Sequence, residues 1–182
     1  MNLPLKHITA EEFAVWAATQ ELGRFELIDG VVVTMNAERS KHGLVKLNAA
    51  IALRGALQQS GLQGQVYGDG MAVTIADRLV HEPDAVVRLG APLPDDAVLV
   101  TDPFIVVDVL SPSTGPVDTS VKLINYFKLP SVNHYLVLDT RTQSVLHYFL
   151  GADGTPQMKL VESGVIELGH AALTLRLADM FE

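Results

Sequence analysis

The stretch Phe104-Ile105-Val106-Val107-Asp108-Val109-Leu110 constrains the fold of this chain more than any other. A continuous run of β-branched and aliphatic residues reads as a strand covered on both faces, and such strands sit in sheets with helices packed against them. Asp108 stands inside that run. A carboxylate buried without a partner is heavily penalised, so its charge must meet a metal, a cation or solvent in a cleft. The other reading is an Asp at the frayed end of a strand, satisfied by a turn over residues 111–114.

The elements around this strand follow from periodicity and punctuation. Thr9 and Glu12 have the spacing of a capping box, which predicts a short helix through Phe13, Val15 and Trp16. Asp29-Gly30 between two β-branched runs predicts a hairpin over residues 25–35. Residues 42–59 read as a helix with Lys46, Arg54 and Gln58 on one polar flank and Gly61 as its stop. Strands are expected at 65–67, 71–75, 83–88 and 104–110, then a second long helix at 116–129. Further strands are expected at 134–139, 144–150 and 156–162, and a short strand with a turn closes the chain. The order predicts an α/β fold with one mixed sheet flanked by two main helices, not the regular alternation of a doubly wound fold.

At 182 residues the chain fits one domain spanning 1–182. Its 48% hydrophobic content and mean hydropathy of +0.26 suffice for a core without disulfide or structural metal. The absence of cysteine excludes disulfides, thiolate metal sites and cysteine nucleophiles, and suits a reducing cytosol. The N-terminus lacks a charged segment followed by an apolar run, and no apolar stretch approaches the ~20 residues of a membrane span. A cytoplasmic protein without a membrane segment is the expectation. The net charge of −8 weighs against a dedicated nucleic-acid binder. It weighs less against a metal-dependent nuclease, whose site gathers carboxylates that bound cations offset.

Several side chains could carry chemistry. Asp84 follows Pro83 at the start of a predicted strand. With Asp108 on a neighbouring strand it would form a minimal oxygen-rich site for Mg²⁺. Asp118, Lys122 and Asn125, spaced i, i+4, i+7, share one helix face; the plainer reading is an exposed ion pair worth a few tenths of a kcal/mol. Glu26 alternates with Phe25 and Leu27 and reads equally as an ordinary solvent-face residue. His42, at a helix start beside Gly43, is the best functional candidate among the histidines. No HExxH, GxSxG, GxGxxG or GxxxxGK[ST] pattern occurs, so zincin, serine-hydrolase and common nucleotide-binding readings lose support.

Glu26-Leu27-Ile28-Asp29-Gly30, His42-Gly43, Pro83-Asp84 and Val107-Asp108-Val109-Leu110-Ser111-Pro112-Ser113-Thr114, trailed by Asp118, Lys122 and Tyr126, resemble the Uma-type putative restriction endonuclease family. This family was formerly catalogued as a domain of unknown function and belongs to the PD-(D/E)XK nuclease superfamily. The resemblance implies a restriction-endonuclease-like core in which Asp84 and Asp108 bind a divalent metal, Mg²⁺ or Mn²⁺. Lys122 would take the superfamily's lysine role, moved from the strand to the following helix, and Glu26 would be an accessory acid. The family pattern carries Glu where this chain has Asp108, which implies a metal seated differently or bound more weakly.

Two functional expectations follow. One is a metal-dependent endonuclease hydrolysing DNA phosphodiester bonds, acting as a homodimer. The alternative is a weak or inactive nuclease-fold protein serving as a dimeric interaction or structural module. Hydrolysis of a smaller phosphoester is a third reading.

Overall fold

The structure, a computed structural model, describes residues 6–21, 23–35, 38–110, 116–169 and 173–182, and only the backbone of residues 116–118. It opens on α1 (Ala10–Ala17). The predicted capping box is formed: Thr9 Oγ1 accepts from the Glu12 N–H at 3.2 Å, and the Glu12 carboxylate accepts from the Thr9 N–H at 3.0 Å. β1 (Phe25–Ile28) and β2 (Val31–Thr34) make the expected hairpin, with Ile28 facing Val31. Its two-residue turn needs positive φ at both positions, and Asp29 and Gly30 adopt 49° and 80°.

α2 (Ser40–Ser60) starts two residues earlier than expected and ends on Gly61 at φ 71°. Then come β3 (Gly64–Tyr67), β4 (Ala72–Ala76), β5 (Leu79–His81), β6 (Ala85–Leu89), β7 (Leu99–Val100) and β8 (Ile105–Leu110). α3 (Pro116–Tyr126), β9 (His134–Asp139), β10 (Ser144–Leu150) and β11 (Pro156–Val161) follow. β12 (Val165–Glu167), β13 (Thr174–Arg176) and α4 (Ala178–Phe181) close the chain.

The fold is mixed α/β, but its strands form two main sheets where one was expected. One runs β2-β1-β5-β4-β7, the other β11-β10-β9-β8-β6-β3, and β12 pairs separately with β13. β4–β7 and β8–β9 are parallel and the remaining pairs antiparallel. The expected strand at 83–88 begins only at Ala85, and residues 79–81 belong to the other sheet. Pro83 explains the break, since it has no N–H to give to a ladder and a fixed φ. The chain therefore crosses between sheets along Glu82-Pro83-Asp84. The second long helix ends at Tyr126 and passes through turns at 127–129 before Pro130, as the residue before a proline disfavours helix.

Strand β8 is central, as its sequence demanded. Ile105, Val107 and Val109 face α2 and pack with Val45, Ala49 and Leu53. Val106 points the opposite way, among Val86, Tyr126, Tyr135 and Val137. The alternation of a strand puts Asp108 on this second face. A third cluster, of Ile8, Phe13, Phe25, Leu27 and Val80, joins α1 to the five-stranded sheet.

Candidate active site

Asp84 stands where the crossing chain enters the six-stranded sheet. Its N–H donates to the Val107 carbonyl at 2.9 Å, and the Val109 N–H donates to its Oδ2 at 2.6 Å. The pairing Ala85↔Val107, carried one residue further, sets Asp84 opposite Asp108. Asp108 itself is paired with Val137 of β9, so it lies within the ladder and not at a frayed end. The turn proposed to satisfy it, residues 111–114, lies outside the described residues, as does the rest of the Ser111-Pro112-Ser113-Thr114 motif.

Asp108 is 9% exposed. Its Oδ2 accepts from the Tyr135 hydroxyl at 2.8 Å, and its Oδ1 lies 3.7 Å from Lys122 Nζ. Burial pushes its pKa up; the Lys122 charge works against that rise and the Asp84 charge adds to it. Lys122 reaches from α3 and sits 3.0 Å from Glu26 Oε1, so one ammonium bridges a carboxylate from each sheet. The exposed ion pair considered for this helix is thereby corrected on the lysine's side: Lys122 and Asn125 are both buried, because α3 turns these two side chains inward. The Asp118 side chain lies outside the described residues.

Glu26 is not the solvent-face residue that alternation alone allowed. Its Oε1 accepts from the Glu82 N–H at 3.1 Å. Asn125 Nδ2 donates to His81 Nε2 at 2.9 Å, which leaves His81 Nδ1 facing Glu26 Oε1 at 3.6 Å. Burial works to raise the Glu26 pKa, but the facing His81 and the Lys122 charge overcome it and hold the carboxyl at about 2. Glu26 therefore stays ionised well into acid.

A second group adjoins the first through Asp84. Lys46 Nζ lies 2.8 Å from Asp84 Oδ1 and 2.5 Å from Glu38 Oε1, and also contacts Asp69. Arg24 contacts Glu38, lies 3.2 Å from Asp69 and 3.5 Å from Asp84, and donates to Glu82 at 2.6 Å. Burial alone would lower the Arg24 pKa, yet Glu82 and its neighbours raise it. His42 Nε2–H donates to the Val109 carbonyl at 2.7 Å and lies 3.9 Å from Asp84. His42 thus ties α2 to the end of β8.

The sequence brought forward Glu26, His42, Asp84, Asp108 and Lys122, and these lie together. It did not bring forward Arg24, Glu38, Asp69, His81, Glu82 or Tyr135, and it set Lys46 on a polar flank with Arg54 and Gln58. Lys46 and Glu38 left local traces, four residues after and four before His42. Arg24, Asp69, His81 and Tyr135 depend on contacts between segments well separated along the chain.

Chemically, six carboxylates (Glu26, Glu38, Asp69, Glu82, Asp84, Asp108) meet three fixed cations (Arg24, Lys46, Lys122). One oxygen each of Glu38, Asp69 and Asp84 lie within 4.8 Å of one another. Among the described residues, Arg24 Nη2, His42 Nδ1 and His81 Nδ1 are buried beside these carboxylates without a hydrogen bond. These nitrogens are not ligands for a hard cation; it is the excess of carboxylates over fixed cations that suits a divalent ion bound through oxygen.

The fold is one already seen in a nuclease-like setting. A solved structure described as "a putative nuclease belonging to DUF820" from Anabaena variabilis ATCC 29413 superposes with a TM-score of 0.73 at 16% identity, over 96% of this chain and 97% of that one. At that identity the likeness is one of fold. The family model Uma2, described as "Putative restriction endonuclease", matches residues 10–178, and the chain belongs to that family. No curated protein matches the chain. Among the described residues, no helix is long and apolar enough to cross a membrane.

Proposed function

We propose that this protein is a divalent-metal-dependent endonuclease that hydrolyses DNA phosphodiester bonds, with Mg²⁺ or Mn²⁺ as its metal. The observation that carries the reading is the convergence of Asp84, Asp108, Lys122 and Glu26 at one place, from two sheets and a helix. Asp84 and Asp108 are the residues that would hold the metal. When bound, such an ion supplies a more acidic water and a Lewis acid at the phosphoryl oxygen.

The remaining work falls to the chain. Hydrolysis adds a water oxygen to phosphorus and breaks the bond to one bridging oxygen, which leaves with a proton. Charge grows on the phosphoryl oxygens in between, and Lys122 is the cation positioned to offset it. Glu26, itself ionised across the working range, holds that ammonium in place. Tyr135 fixes the Asp108 carboxylate through Oδ2 and leaves Oδ1 toward Lys122.

One observation favours the alternative of an inactive interaction module: Asp84 Oδ1 is already neutralised by Lys46 and approached by Arg24. Purified protein and its Asp84→Ala and Lys122→Ala variants, incubated with supercoiled plasmid in EDTA, Mg²⁺ or Mn²⁺ at low salt, separate the two. Metal-dependent nicking by the wild type alone is expected. Equal silence from all three, with no stabilisation by Mn²⁺, would leave the inactive module standing.

A further inference from the structure

Lys46 is the lysine most out of place. It is 3% exposed, on a helix whose first turn reaches the site, and its ammonium meets three carboxylates at once. Those carboxylates, Glu38, Asp69 and Asp84, come from the approach to α2, the loop before β4 and the crossing between the sheets. Their oxygens converge, and the ammonium stands against all three. Burial disfavours a charged lysine, yet Asp84, Asp69 and Glu38 together more than offset it and raise the Lys46 pKa. Arg24 contacts the same three acids but is also committed to Glu82 at 2.6 Å, so Lys46 is the cation centred on them.

Asp84 has two oxygens, and both are engaged. Oδ2 takes the Val109 N–H as part of the strand pairing, and Oδ1 takes Lys46. A metal ligated by Asp84 must therefore share or displace one of these contacts. The Val109 bond is fixed by the sheet, whereas a lysine stem has four rotatable carbons and two other acids within reach. We propose that Lys46 is a tethered counter-ion that competes with the divalent cation for Asp84 Oδ1, so that metal binding requires the ammonium to yield this contact and withdraw to Glu38 and Asp69. This rests on Asp84 being a metal ligand. Lys46 then has two effects of opposite sense. It relieves repulsion among the acids in the metal-free protein, and it raises the metal concentration needed to load the site.

The test is Mn²⁺ binding at pH 7, followed by the loss of the free-ion resonance signal, for the wild type, Lys46→Met, Lys46→Gln, Lys46→Arg and Asp84→Asn. Thermal melting is recorded with and without Mn²⁺. Removing a unit charge from beside a divalent ion should tighten Mn²⁺ binding tenfold or more in Lys46→Met and in Lys46→Gln, while Lys46→Arg stays near the wild type. Both neutral variants should melt lower without metal and gain more from it. Equal or weaker binding in the folded neutral variants overturns the competition. If Asp84→Asn abolishes binding in that case, the metal reading of Asp84 survives and only the role of Lys46 falls. If Asp84→Asn binds Mn²⁺ like the wild type, the metal reading of Asp84 fails and the competition fails with it. No binding by either the wild type or the neutral variants overturns both.

Discussion

Glu26→Gln isolates a single charge in a fixed setting. The Glu26 carboxyl is held at about 2 against an ordinary value of 4.5, with burial opposing and His81 and Lys122 prevailing. By linkage that gap corresponds to about 3 kcal/mol of folding stability at neutral pH. The side chain is 13% exposed, so screening by solvent removes little of it. The sign follows from the folded value lying below the unfolded one. The contribution is complete above 4.5 and is lost as pH falls toward 2. Gln keeps the shape and can still accept from the Glu82 N–H, but carries no charge at any pH. Urea unfolding of both proteins from pH 7 to pH 3 should therefore show a destabilisation of about 3 kcal/mol at pH 7 that shrinks to under half by about pH 3. In melting temperature at pH 7 the loss should be about 6–12 °C for a chain of this size. A penalty that stays constant with pH would mean that packing, not charge, was lost. A penalty under about 1 kcal/mol at pH 7 would refute the claim that the His81 and Lys122 partners overcome burial.

Other outcomes are equally open to measurement. Burial first, then the charges of His134 and Lys159, hold His147 down to about 4, and the two rings meet at 3.0 Å. The fold thus favours neutral His147, and stability present above pH 6.5 should be lost as pH falls toward 4. Discounted for solvent screening, the loss should be about 1–2 kcal/mol, and thermal melts at pH 7 and pH 4.5 should show it flattened in His147→Gln. Gly30→Ala should cost about 1–3 kcal/mol, since Gly30 has φ 80° and a Cβ there would lie 3.1 Å from both His7 Cβ and the Ile8 carbonyl oxygen. An unchanged urea midpoint would contradict that.

Local chemistry was the legible part of this sequence. Thr9 with Glu12, Asp29-Gly30 and Gly61 each act within a few residues, and each does in the structure what its type demands. Asp108 was legible because an acid in an apolar strand contradicts its surroundings. The division into two sheets was hidden in Pro83, whose effect depends on strands that pair far along the chain. Lys46 was misplaced because it was grouped by polarity with Arg54 and Gln58, whereas its i, i+3, i+7 spacing aligns it with the buried Ala49 and Leu53, on a side where acids from three other segments meet it. Arg24 and Glu82 are 58 residues apart and Glu26 and Glu82 are 56 apart, and no periodicity encodes such pairings.

Lys122 has a mechanical consequence apart from chemistry. Its ammonium spans Glu26, in the five-stranded sheet, and Asp108, in the six-stranded one. Parting the sheets would strand a desolvated cation on one side and leave a carboxylate bare on the other. Such an opening is far more expensive than the apolar contacts alone would make it. The polar centre thus acts as a rivet that ties two sheets into one cooperative unit, so that partial unfolding of either tends to become unfolding of both.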